Sequence, residues 1–268
     1  FLSGTYTIGG TGADFPDFTS AVSALNYCGV DSAVLFLVNS GTYTEQFEMT
    51  PINGASATNT ITFTSAMYDS TSVILSRPSA GPSYTIFLNG ADYVTFKSLT
   101  IESQTDARVV ELANNSTYIT FENSIIRAAA STSSLSTPIY SAAGDDEYLT
   151  LRNNSIENGY YGVYLRGPSS ANLEAGLVME NNSITGYYYY GVYLYYLDAP
   201  KVDRNYIADG AAIYGYAMYL YYCDNNMQIS NNTFDLTPGN YHYAMRLYYC
   251  DGTSTNPINV YNNFMSIS

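Results

Sequence analysis

The chain has 268 residues, 46% of them hydrophobic and only 12% charged, with 30 tyrosines and no tryptophan. That is enough apolar mass for a continuous core, and so low a charged fraction belongs with extracellular β proteins more than with cytosolic enzymes. The formal net charge of −14 excludes a nucleic-acid backbone or an anionic membrane surface as partner, because both would be repelled, and leaves cations, neutral glycans and proteins.

Phe1-Leu2-Ser3 has no start methionine or signal peptide, so a processed or excised piece is expected. No apolar run is long enough to insert in a bilayer. Three cysteines are too few for a disulfide framework.

Residues 1–49 read as a cap with the first strands. Gly9-Gly10-Thr11-Gly12 is turn-rich, and Asp17 to Leu25 predicts a short amphipathic helix capped by Asp17 or a neighbouring hydroxyl. Ala33 to Val38 predicts a buried strand, followed by Gly41-Thr42-Tyr43 and Glu45 to Met49. The helix is suited to covering the first open sheet edge, with Cys28 in its core.

Residues 50–268 repeat. Apolar residues two apart mark one strand per repeat: Ile61 and Phe63, Ile86 and Leu88, Val110 and Leu112, Val163 and Leu165, Val192 and Leu194, Met218 and Leu220, Met245 and Leu247. This period points them to one face, and Ile139 with Ser141 fits the slot poorly. A second strand ends in apolar-x-Asn-Asn-x-apolar, at Leu151 to Ile156, Met179 to Ile184, Ile229 to Phe234 and Val260 to Met265, with degraded copies at Phe96, Phe121 and Val202. Asn tolerates a left-handed corner, and its amide can bond to the same amide one layer away.

The closest copies are Tyr161 to Arg166, Tyr190 to Asp198, Tyr216 to Asp224 and Tyr243 to Asp251. A leucine-rich repeat would need a different leucine spacing and a helical or coiled return, and a propeller needs about four strands per blade of roughly 40 residues. Two strands per repeat and an Asn corner predict an all-β chain: one domain over 1–268, a right-handed parallel β-helix with a short N-terminal capping helix.

Within that stack Tyr140, Tyr164, Tyr193, Tyr219 and Arg246 share one outward slot, and Arg166, Tyr195, Tyr221 and Tyr248 share the next. Such columns stabilise parallel strands by stacking, which the repeat alone accounts for, or present a surface to sugar rings or a surface protein. Asp145, Asp198, Asp224 and Asp251 form an acidic column beyond the tyrosines, with Asp146 and Glu147 beside its first member. Turns explain these residues, and Ca²⁺ is the alternative occupant. Cys223 and Cys250 share a slot with Leu197, pointing inward after a bend, as apolar packing or as an inter-rung disulfide. His242, beside Asn240, has no nucleophile to pair with. The Asn-x-Ser/Thr matches at Asn153, Asn181 and Asn231 fall inside the Asn corners, where packing accounts for them.

Gly10 to Phe15, Ala21-Val22, Val34 to Leu37 and Gly41 to Gln46 resemble the opening of pectin methylesterases and related pectate-lyase-like β-helix proteins. Gly4 to Gly10, Ala24 to Val30 and Ile52 to Asn59 are similar to segments of large secreted surface proteins of Bacteroidota, gliding-type adhesins among them; Asp31-Ser32-Ala33 and Asp69-Ser70-Thr71 match the short O-glycosylation motif of that group. The likeness covers about the first quarter of the chain and implies the scaffold and a secreted setting. The esterase strand of the Asp-Phe-Ile-Phe-Gly type has no counterpart; Val109 to Leu112 and Ile139 to Ser141 stand where it would lie.

The expectation is a non-catalytic, extracellular or cell-surface β-helix serving as a rigid or adhesive segment. The alternatives are a lyase, esterase or glycosidase, using Arg166 or Arg246 near the acidic turns or Asp145 with an acidic neighbour, and a carbohydrate-binding module. The last rung shows no cap, so the chain is expected to continue beyond Ser268 or to pack there on a partner or a second copy.

Overall fold

The computed structural model describes residues 1–267 except 143, 145, 209, 239 and 240. Among them, three parallel sheets of ten, nine and nine strands run the length of the molecule. Each turn visits them in the same order: Thr150–Arg152 lies in the first sheet, Ser155–Glu157 in the second and Tyr161–Arg166 in the third. The chain is thus a right-handed parallel β-helix with three strands per rung, not two.

The extra strand comes from the Asn corner. The first corner residue takes a left-handed backbone, as at Asn153 (φ 56°), Asn181 (φ 53°), Asn231 (φ 57°) and Asn262 (φ 53°), with Arg204, Asn123 and Ser98 in the same place in other rungs. That reversal divides apolar-x-Asn-Asn-x-apolar between two sheets. The first Asn is exposed and chosen for its conformation, which corrects the expectation that packing explains Asn153, Asn181 and Asn231. The second Asn is the packed one. Asn154, Asn182, Asn205 and Asn232 are buried, and each amide donates to the Oδ1 of the next, at 3.0, 2.9, 3.0 and 3.0 Å, ending on Asn263.

Inward side chains form columns. Phe36, Phe63, Phe96 and Phe121 stack at 4.6, 5.3 and 5.2 Å in the first sheet, and Leu151, Met179, Val202 and Ile229 continue the line. This corrects the slot given to Ile61 and Phe63: Ile61–Ser65 pairs with Val94–Lys97 in the first sheet, whereas Ile86 and Leu88 lie in the third. An i, i+2 apolar pair is common to strands of every sheet, so spacing alone did not separate them. In the third sheet Ser141 takes the slot of Leu112 and Leu165. Its buried hydroxyl is satisfied by Asp146 at 2.7 Å, which also accepts from Ser116 N, and this places Asp146 in a buried network.

The N-terminal end is covered. Helix α1 (Phe18–Cys28) starts at Asp17, whose side chain accepts from Ser20 N at 2.8 Å, and Glu45 reaches back to Phe18 N and Thr19 N. Its buried face is Phe18, Ala21, Val22 and Leu25, with Phe18 against Tyr43, Phe47 and Phe63. The helix connects Leu2–Ile8 to Val30–Val38, a parallel pair that opens the first sheet. Cys28 is exposed at the helix end, not in the cap core: the apolar stripe closes at Leu25 and Gly29 (φ 67°) turns the chain away. At the other end Phe264 and Ile267 are 62% and 74% exposed.

Candidate functional site

The third sheet carries the tyrosines, and its register fixes their columns. Tyr164, Tyr193 and Tyr219 pair directly, with Tyr140 before them and Arg246 after. Arg166, Tyr195, Tyr221 and Tyr248 form the column beside it. A third column, Tyr161, Tyr190, Tyr216 and Tyr243, runs along the other side.

Ring geometry decides what such a surface can offer. From Tyr140 to Tyr164, Tyr193 and Tyr219 the centroids are 5.0, 5.1 and 5.3 Å apart and the planes tilt by 12°, 3° and 4°. These are offset stacks, so each interior ring spends both faces on its neighbours. Guanidinium groups cover the ends: Arg108 lies 3.7 Å over Tyr140 and Arg246 5.5 Å from Tyr219, while Arg166 closes the neighbouring column over Tyr195 at 5.2 Å. The third column packs edge-on against the first, as Tyr161 does on Tyr164 at 4.8 Å and Tyr190 on Tyr193 at 5.0 Å. What reaches solvent in the interior is ring edge and hydroxyl. A sugar stacking flat on Tyr193 or Tyr164 has no free face to use.

Burial, with the neighbouring phenols adding to it, pushes Tyr161 up to about 12 and raises Tyr190 and Tyr193 further. These phenols are protonated donors at neutral pH, neither bases nor nucleophiles. Elsewhere the cations alternate with acids between rungs: Arg127 bridges Glu102 and Glu157, and Glu180 bridges Arg152 and Lys201. Arg166 and Arg246 have no carboxylate partner among the described residues; Arg246 Nη1 donates to the Tyr216 hydroxyl at 3.2 Å.

A bend ends each tyrosine strand. Tyr196 (φ 61°), Tyr222 (φ 49°) and Tyr249 (φ 52°) take the left-handed region, which breaks the alternation and turns Leu197 and Cys223 inward. Cys250 packs beside Cys223, whose N–H lies 3.4 Å from the Cys250 sulfur, and burial pushes the Cys223 thiol up. The acidic column follows. Asp224 accepts from Asp251 N at 2.7 Å, and Asp198 accepts from the Asn225 amide. Burial, joined by the Asp251 and Asp198 carboxylates against that backbone N–H, holds Asp224 above the usual carboxylate range. Among the described residues no three acidic, His or Cys side chains are gathered as cation ligands. Asp145 lies outside the described residues, as do Asn240 and Ser268. If the bonds of Asp198 and Asp224 to the neighbouring rung are the column's whole role, the melting temperature should be the same in excess chelator as in millimolar Ca²⁺. A rise of several degrees with Ca²⁺ would favour the cation role instead.

His242 is tied to the backbone, its Nε2 2.6 Å from Ala212 O. Sequence reasoning missed Arg108 and Tyr161 as parts of this face. Arg108 stands three residues from Glu111, its ion-pair partner, and no spacing signals that its guanidinium lies on Tyr140.

The chain matches the family described as right handed beta helix region over residues 84–265, and it belongs to that family. Comparison with curated proteins and with solved structures found no match. The family defines the scaffold.

Proposed function

We propose that the chain is a rigid structural or adhesive segment of a secreted or cell-surface protein, presenting its tyrosine face to a glycan or to another protein. The observation that carries this is the unbroken stack from Tyr140 to Tyr219, closed by Arg108 and Arg246. A surface held by so many mutual contacts is stiff, and it offers hydroxyls in register along a strip several rungs long. Rigid aromatic groups lose little conformational entropy on binding, which favours recognition. In this proposal a further rung, of this or another chain, seats on the exposed Leu247, Val260, Phe264 and Met265.

Retention of the purified chain on soluble and insoluble polysaccharides, and on extracts of surface proteins, tests the display role. Tyr193→Ala and Tyr219→Ala should weaken retention about tenfold without unfolding the chain. Retention unchanged in both variants would leave the columns with a stabilising role only.

A further inference from the structure

The tyrosine face has a distinct N-terminal end. Residues 128–136 leave the second sheet after Ile125–Arg127 and return to the third at Thr137–Ser141 as a loop, pinned by Ser136 Oγ donating to Ala129 O at 2.6 Å and by Tyr160 N donating to Ser136 O at 2.7 Å. Beneath it lies a cavity of about 200 Å³, lined by Arg108, Ser134, Leu135, Tyr140, Tyr161 and Tyr164. On the other side of the same loop Ala130, Ser131 and Thr132 join Gly186, Tyr188 and Ala211 around an open hollow of about 490 Å³. Tyr160 stands between the two, 4.8 Å from Tyr161 and 5.6 Å from Tyr188.

We propose that the smaller cavity binds one sugar unit of a neutral polysaccharide, with the chain passing the loop toward the larger hollow. This deepens the display reading and rests on its glycan half. The volume is below the 300–1,000 Å³ or so that takes a drug-sized ligand, and it suits one pyranose ring. The lining mixes hydroxyls from Ser134, Tyr140, Tyr161 and Tyr164 with the apolar Leu135 and ring edges, matching a ring that has polar rims and C–H faces. Arg108 Nη1 is committed to Glu111, while Nε and Nη2 donate to no described residue, and Nε is buried. The Tyr140 ring, 3.7 Å beneath the guanidinium, accounts for the covered Nε, and Nη2 remains as the donor that a ligand oxygen can reach.

Charge selects the class. Glu111 balances Arg108, burial pushes the Tyr161 phenol up to about 12 and raises that of Tyr164, so both keep their protons, and the chain as a whole is at −14. A uronic acid would enter a net negative field offset only by Arg166, beside Tyr164, whereas an uncharged hexose or pentose has no such cost.

The test is the affinity of the full chain for neutral oligosaccharides of one to six units, from glucan, xylan and mannan, with uronic-acid oligomers alongside. Leu135→Trp and Ser134→Trp fill the cavity from an exposed loop, and thermal melts confirm that each variant folds. Binding to a neutral series that strengthens with chain length and falls at least about tenfold in either filled variant is the expected result. Unchanged binding in both filled variants, with loss in Tyr193→Ala and Tyr219→Ala, would overturn the cavity while leaving the display surface intact. Binding confined to uronic-acid oligomers, or to no sugar in the panel, would also overturn it.

Discussion

Asn182→Ala should destabilise the stack by roughly 3–5 kcal/mol, among the largest effects of any single substitution in the chain. The Asn182 side-chain oxygen accepts from both Asn154 N and Asn154 Nδ2, and its amide donates to Leu151 O and to Asn205 Oδ1. Truncation strands Asn154 N, at about 1–3 kcal/mol, and removes one further bond each from Asn154 Nδ2, which keeps Phe121 O, from Asn205 Oδ1, which keeps Asn182 N, and from Leu151 O, at about 1 kcal/mol apiece. Asn263→Ala, at the half-buried end of the same ladder, should cost only about 1 kcal/mol. Urea or thermal unfolding of the two variants checks the contrast, and equal small losses would mean that the ladder follows the fold instead of holding it.

The second large effect is alkaline unfolding. Burial raises the phenols of Tyr161, Tyr190 and Tyr193, Tyr161 to about 12. An unfolded tyrosine ionises near 10, so above that pH the unfolded chain holds fewer protons than the folded one. Stability is therefore flat through neutral pH and falls as pH climbs from about 10 toward the folded values. Each phenol adds at most about 1.4 kcal/mol per pH unit, discounted here because the rings are partly exposed to screening solvent. Several rings titrate together, so the melting temperature should drop steeply over that window, with part of the phenolate absorbance appearing only on unfolding. Complete ionisation near pH 10 without loss of structure would contradict the packing described.

Much of this was readable from residues alone, because a stacked array places equal positions in contact. The slot shared by Tyr193 and Tyr219, the inward turn of Leu197 and Cys223, and the cap at Asp17 all follow from repeat spacing and local chemistry. The third strand per rung was hidden because a left-handed residue leaves no mark on hydrophobic period: Arg204 and Ser98 serve the corner as Asn153 does. Period two gives the tyrosines their outward direction and leaves open both stacking between rungs and a surface for sugar rings. Stacking at about 5 Å consumed the ring faces. The cavity under residues 128–136 depends on a loop whose path no repeat specifies.

In the proposed role the columns form a surface that holds and presents without transforming what it meets. Binding and product release, measured on the same sample across neutral and acidic polysaccharides, test it most directly. Retention with no new reducing ends and no unsaturated product is the predicted result. Product release that disappears in Arg166→Ala or Arg246→Ala would contradict it and make the tyrosine face the wall of an active site.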